Sequence, residues 1–382
     1  MKQILGLTRR LYMQGLLAGA GTVFFPRIST ATNKAVLQEQ KQHWKLFEAQ
    51  FISKDGRVVS DDESLSKTYS EGQAYGLFFS LISGDQQAFE RILKWTERNL
   101  CQGDISKNLP GWLWGKRDDG QWGLIDRNPA SDADVWIAYS LIEAGRLWKN
   151  RAYTTIGKAV AKLIVQQECV QIPGLGLSLL PGPVGFQKDG KFKLNASYSP
   201  LQVLQSLSLH DLAWKEIAHS SMQVIAGSSP RGACADWVWF DGKNFTQDHE
   251  GEAQGRGGYN AIRVYLWAGI MHPHNLFYRE QLRVLAPMAQ LIQERGTPPE
   301  FIDPWTMQVQ GDGPPGFRSA FLPFLQASRH NAALEVQEQA LKQHPVRPTA
   351  YYEQCLHFFS ASWRRASYAF DPQGQLVLSQ SS

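Results

Sequence analysis

Apolar residues recur at helical spacing along almost the whole of this chain, and that periodicity limits the fold more than any other feature. It starts at Trp44 to Phe51 and continues through Gln73 to Ile82 and Gln87 to Leu100. It is clearest at Val135 to Trp148, where Ile137, Ala138, Leu141, Ile142, Gly145 and Trp148 share one face. Ala152 to Gln167, Leu201 to Ile225, Asn260 to Met271, Tyr278 to Arg295, Phe317 to Ala327 and Ala332 to Gln343 carry it on. Strand-like alternation is short and local, as at Lys191 to Leu194. The pattern predicts an all-α protein.

Between the helices lie three long glycine-rich stretches, Gly103 to Ala130, Ile172 to Ser199 and Gly227 to Gly258. Loops of that length in a compact domain are usually functional, or else they mark a misread element. They carry Trp112, Trp114, Trp122, Trp237 and Trp239. The chain has 13 Trp, 12 Tyr and 19 Phe; burial in a large core must account for most of them, and a few are expected to line a groove. Antiparallel helices with long loops at one end suggest a toroid around such a groove.

Lys2, Arg9 and Arg10 precede the apolar stretch Leu11 to Pro26, and Ser29-Thr30-Ala31 offers small residues for cleavage. This is signal-peptide architecture over residues 1–31, and Thr8-Arg9-Arg10-Leu11-Tyr12 is similar to a twin-arginine signal. A periplasmic or secreted protein with no membrane segment in its mature form is the expectation. A net charge of +4 without a run of like charges gives no support to nucleic-acid binding. Cys101, Cys169, Cys234 and Cys355 are too widely spaced for a metal site, and their spacing fixes no pairing. No phosphate loop and no paired metal-ligand spacing is present, so neither a metal nor a cofactor is expected. A single domain over residues 32–369 would be followed by a polar, flexible tail over residues 370–382.

Two acidic segments could carry chemistry. In Ser70-Glu71-Gly72-Gln73-Ala74-Tyr75-Gly76 a carboxylate opens an apolar helix. The helix dipole alone would favour it there. A glycosidase acid also needs a carboxyl kept protonated by apolar and aromatic neighbours, which Tyr69, Tyr75 and Phe78 could supply. In Asn128-Pro129-Ala130-Ser131-Asp132-Ala133-Asp134, Ser131 and Asp134 have capping-box spacing, whereas Asp132 has no such structural role. A second carboxylate in a groove can hold sugar hydroxyls and stabilise positive charge on the ring.

The nineteen residues Ala130 to Trp148, ASDADVWIAYSLIEAGRLW, resemble the signature of glycoside hydrolase family 8. SEGQAYG resembles the family's acid-bearing segment. WLWGKRDDGQWG lies between the two, and Asn195 to Pro200 and Gly258 to Arg263 fit the family as well. The similarity spans roughly Trp44 to Trp363, and within the family it points to the periplasmic endoglucanases of bacterial cellulose-synthesis operons. The resemblance implies an (α/α)6 barrel that cleaves internal β-1,4-glucan bonds with inversion. It implies Glu71 as proton donor and Asp132 as the sugar contact at the cleavage point. It further implies that Tyr198 and Arg263 order the site around the attacking water, with Trp112 and Trp114 as stacking platforms and Asp134 beside them in the substrate site. A cellulose chain is the implied partner of a monomer working near the cellulose synthase complex.

The sequence departs from this pattern at one place. The family's usual base follows the tyrosine of a Tyr-Asp-Ala-x-Arg pattern, and that position is Asn260 here. An amide cannot take a proton from water at neutral pH. Three accounts remain open. Another carboxylate serves, from Asp236, Asp241, Asp248, Glu250 and Glu252; or Asn260 is a natural or engineered substitution that traps substrate; or the protein binds glucan without cutting it. A hydrolase of another β-1,4 polymer, such as chitosan or xylan, is a further alternative.

Overall fold

A computed structural model describes residues 30–60, 67–251 and 253–379. Residues 1–29, which hold most of the expected signal peptide, and Glu252 lie outside the described residues. Twelve α-helices are described: α1 (Thr30–Phe51), α2 (Ser70–Ile82), α3 (Gln86–Leu100), α4 (Ser131–Leu147), α5 (Arg151–Gln167), α6 (Leu201–Leu207), α7 (Ala213–Gly227), α8 (Ile262–Ile270), α9 (Tyr278–Arg295), α10 (Pro315–Ala327), α11 (Asn331–Gln343) and α12 (Tyr351–Arg364). None is long and apolar enough to cross a membrane among the described residues.

The even-numbered helices form an inner ring. α2 packs on α4, α4 on α6, α8 on α10, α10 on α12, and α12 back on α2; a 3-10 turn at Ala196–Tyr198 touches α4 and α8. The odd-numbered helices lie outside, each against an inner partner, and α1 closes the circle on α12. Composition explains the sorting. All nine residues of α8 are buried, whereas in α5 only Gly157, Val160, Ala161 and Ile164 are. A helix apolar on every side must be enclosed, and one with a single apolar stripe sits at the rim. The fold is therefore the (α/α)6 barrel.

Aromatic rings from four inner helices plug the axis. Phe78 meets Trp136 at 4.8 Å, Trp136 meets Trp267 at 5.2 Å, Trp267 meets Phe359 at 5.0 Å, and Phe359 returns to Phe78 at 5.3 Å. Each such contact adds about 0.5–1.5 kcal/mol beyond area burial. With the axis filled, the cleft at the end where the inner helices begin is closed at its floor.

Several expectations change here. The predicted helix Leu201 to Ile225 is two helices that turn back at residues 208–212. α12 was not anticipated, although Pro348 and Thr349 punctuate its start. The long stretches are not bare loops. They hold β2 (Gly111–Lys116), paired to β1 (Thr68–Tyr69) and to β3 (Trp122–Pro129), and the hairpin β4 (Cys169–Ile172) with β5 (Gly176–Leu179). A four-stranded sheet follows, of β6 (Gln187–Lys188), β7 (Lys191–Leu194), β8 (Val238–Phe240) and β9 (Phe245–Gln247). β10 (Pro299–Ile302) pairs with β11 (Val309–Asp312).

The C-terminal tail is a further correction, because it is a docked hairpin of β12 (Tyr368–Phe370) and β13 (Leu376–Leu378). Tyr139 Oη donates to the Gly374 carbonyl at 2.9 Å, and the buried Glu143 accepts from the Leu376 N–H at 2.9 Å. Gly374 is required, with φ +85° and a would-be Cβ only 1.8 Å from the Gln202 carbonyl oxygen. The tail's polar composition concealed buried Phe370 and Leu376.

Trp136→Ala should lower unfolding stability by about 3–5 kcal/mol, the usual cost of emptying a large buried aromatic site. Urea denaturation followed by circular dichroism measures this, and a loss below about 1 kcal/mol would show that the plug is not central.

Candidate active site

The inner helices α2, α4, α8 and α12 point their N-termini at one open cleft of about 790 Å³. Glu71 and Asp132 each occupy the second position of their helix, where the dipole favours a negative charge. Arg263 is the second residue of α8. The cleft is also lined by Trp112, Tyr198, Tyr259, Asn260 and Tyr352.

The Arg263 guanidinium, only 4% exposed, joins these groups. Its Nη1 pairs with Glu71, donates to Asp132 Oδ2 at 2.9 Å, and donates to Tyr75 Oη at 3.2 Å. Its Nη2 donates to Asn260 Oδ1 at 2.9 Å and to Ser197 Oγ at 3.0 Å. Burial opposes its charge, but the neighbouring Glu71, Tyr75 and Asp132 hold it protonated. Tyr75 Oη donates to Glu71 Oε1 at 2.6 Å. The Glu71 carboxyl thus meets a phenol and a guanidinium, not the apolar ring faces the sequence suggested. Phe78 instead turns into the aromatic plug.

Asp132 is buried, and its Oδ1 accepts from the Ala133 N–H at 2.8 Å. Burial, then the charge of Glu71, push its pKa up to about 7, with Arg263 acting in the opposite direction. Asn260 is fixed by its neighbours. Both Arg263 Nη2 and Asn195 Nδ2 donate to its oxygen, the latter at 3.3 Å, so the carbonyl end faces them and the amide N–H2 is left for the cleft. Tyr198 lies beneath the guanidinium, with Arg263 Cζ 5.6 Å from its ring centroid.

Of the expected substrate contacts, Trp114 and Asp134 lie outside the cleft, while Trp112 lines it. Trp112 stacks on Tyr69 at 5.7 Å in the cleft wall. Trp114 packs against Trp95 and Trp122 beneath Arg57 and does not line the cleft. The β2–β3 register shifts on both sides of Leu113, each time by one extra residue on the β3 strand. Asp134 is fully buried behind Asp132 and forms no capping box. Ala130 is the N-cap, with no side-chain cap bond, and the Ser131 hydroxyl has no partner. Asp134 instead faces the equally buried Glu168 carboxyl. Among the described residues no donor reaches either carboxyl. Two buried anions without a cation would be far too costly: burial, then the charge of Asp132, push the pKa of Asp134 well above the ordinary range, and burial, then the charges of Asp134 and Asp132, do the same to Glu168.

The acidic stretch offers no carboxylate to the cleft among the described residues. Asp236 is buried and accepts backbone N–H groups. Asp248 is buried with Lys193 at 2.6 Å and the Trp239 Nε1 at 3.1 Å. Asp241 caps an exposed turn through the N–H groups of Lys243 and Asn244, and Glu250 is exposed away from the cleft. The structure adds Glu353 and Arg347 to the lining. Both went unread because α12 did. Glu353 Oε2 accepts from the Gly316 N–H at 2.7 Å, which commits that oxygen to the start of α10.

An aromatic-walled groove in which a carboxyl, a second carboxylate and a buried arginine converge defines a glycoside hydrolase on an (α/α)6 barrel. The model of glycosyl hydrolases family 8 matches residues 11–366. An endoglucanase of Salmonella typhi is 40% identical over 334 residues, 87% of this chain and 89% of its own length. An endoglucanase of Xanthomonas axonopodis pv. citri (strain 306) is 39% identical over 377 residues, 97% of this chain and 96% of its own. The crystal structure of an endo-1,4-D-glucanase from Vibrio fischeri ES114 matches with a TM-score of 0.80 at 36% identity, covering 88% of this chain and 98% of that one. The chain belongs to glycosyl hydrolases family 8.

Folding binds protons at Asp134 and Glu168, because their folded pKa values are raised. Their contribution to stability is therefore complete below the ordinary carboxylate range and is lost as pH rises above it. The double variant Asp134→Asn/Glu168→Gln keeps a neutral pair. It should match or exceed the parent's melting temperature at pH 8 and lose that advantage at pH 4. A variant markedly less stable than the parent at pH 8 would show that the pair is ionised in the folded protein.

Proposed function

We propose that this protein is an exported endo-β-1,4-glucanase that holds its glucan firmly and cuts it slowly, with inversion, in the setting of bacterial cellulose synthesis. The observation that carries the reading is the single guanidinium of Arg263. One of its amino groups holds Glu71 and Asp132, and the other holds Asn260, beside an open cleft walled by Trp112 and Tyr198. The named activity of the relatives and the signal-like N-terminal sequence support it.

In this reading Glu71 gives its proton to the glycosidic oxygen as the bond to the anomeric carbon breaks. Tyr75 and Arg263 keep the carboxyl aimed, and Asp132 holds the sugar at that position. Water attacks from the opposite face, where an inverting enzyme needs a base. Asn260 stands there. Its oxygen is occupied and its N–H2 only donates, so it orients water without accepting a proton. Binding is retained while the chemical step is slow. A chitosan- or xylan-directed cleft would reverse the order of preference in a substrate panel.

Purified protein incubated with carboxymethylcellulose should release new reducing ends slowly. Asn260→Asp should raise kcat at least tenfold with little change in KM. Adding Glu71→Gln to that variant should lower kcat by about 10²–10⁴, the usual worth of a positioned proton donor. An inactive Asn260→Asp variant that still binds cello-oligosaccharides would instead define a glucan-binding protein and overturn this assignment.

A further inference from the structure

Asp236 is the most heavily used carboxylate near the cleft that the chemistry does not require. It is 4% exposed, and it does not line the cleft. Its Oδ1 accepts three backbone N–H bonds, from Gly258 at 2.8 Å, Asn260 at 3.1 Å and Ala261 at 2.7 Å. These donors lie on the turn that leads into α8, where N–H groups have no helical acceptor. Ala261, the N-cap residue of α8, has no side chain able to accept them.

The same turn is gripped from its other sides. Gly257 sits so close to the Cys234 carbonyl that a Cβ would lie 1.8 Å from its oxygen. The Gly257 N–H donates to the Ile302 carbonyl at 2.7 Å, and Tyr352 Oη donates to the Tyr259 carbonyl. Asp236 is the anionic member of this grip, and it binds the amides on both sides of Tyr259. Residue 260 projects directly from the clamped segment, and Arg263 follows within one helical turn.

We propose that Asp236 is a positioning residue: its carboxylate sets the orientation of the turn that aims the residue 260 side chain and Arg263 at the cleft. It touches no substrate, and it does not replace the missing base. The inference rests on the reading that residue 260 faces the attacking water.

The test compares Asp236→Asn, which keeps an acceptor oxygen in place, with Asp236→Ala, which removes it. Both are made in the parent and in the Asn260→Asp background. In that background Asp236→Ala should lower kcat at least 30-fold with KM within threefold, and Asp236→Asn should stay within fivefold of its parent. Hydrogen exchange gives a readout independent of activity. The amides of Gly258, Asn260 and Ala261 should lose protection in Asp236→Ala and keep it in Asp236→Asn. If Asn260→Asp is itself inactive, the functional reading fails, and the exchange pattern alone then supports or overturns the clamp. Lost protection with unchanged kcat overturns the positioning role, and so does unchanged protection in Asp236→Ala. Should Asp236→Ala fail to fold, Asp236→Asn decides: a 100-fold loss of kcat with protection intact would show that charge matters and geometry does not.

Discussion

A cation buried to the extent of Arg263 is tolerated only if anions accompany it out of water. Removing one partner from such a group typically costs about 3–5 kcal/mol. Here the carboxyl partners come from separate helices, Glu71 from α2 and Asp132 from α4, while the cation comes from α8. The ion cluster therefore tethers three inner helices at the open end, as the aromatic plug tethers four further along the axis. The groups that would do chemistry are the same groups that satisfy the buried charge. A substitution at Glu71 or Asp132 consequently alters the electrostatics of the whole mouth, and activity losses there have to be separated from losses of structure.

The N-terminal convergence of the inner helices makes this arrangement affordable. Partial positive charge at the start of α2 and α4 favours a carboxylate in each first turn. Asp236 meets the same kind of demand from outside the ring, because the start of α8 has amides to satisfy and no capping side chain of its own. One rule thus accounts for three acidic residues at helix starts: Glu71 and Asp132 in the cleft, and Asp236 on the backbone behind it.

How far the sequence disclosed this depended on whether a feature was local. The α4 helix and the Glu71 segment were readable because their spacing is self-contained, and the family signature lies within nineteen consecutive residues. What failed depended on partners far away in the chain. Ser131 and Asp134 have capping-box spacing, yet Asp134 is claimed by Glu168 across α5. Trp112 and Trp114 alternate properly in sequence, yet Trp114 is taken up by Trp95 and Trp122 outside the cleft. The residues after Phe370 look like a frayed end until Glu143 and Tyr139 are seen to receive them. Asp236 stood in the sequence as one of five acids that could replace the base, because the three amides that claim it lie 22 to 25 residues further on.

Asn260 is the case in which fold and chemistry separate cleanly. Its oxygen accepts from Arg263 and Asn195 just as a carboxylate oxygen could, so no packing or hydrogen bond in the fold depends on which residue is there. The difference lies on the other atom, which faces the cleft. With an aspartate, three carboxyls would surround one guanidinium, and Asp132 already has its pKa raised to about 7 by burial and by Glu71. With an amide, the cluster carries one fewer acidic group beside Asp132. The Asp134–Glu168 pair beneath it marks the limit of what this fold accepts, since carboxyls without a cation persist there only as the protonated form. With Asn260 in place, the mouth of the barrel therefore sets one guanidinium against two carboxyls, those of Glu71 and Asp132.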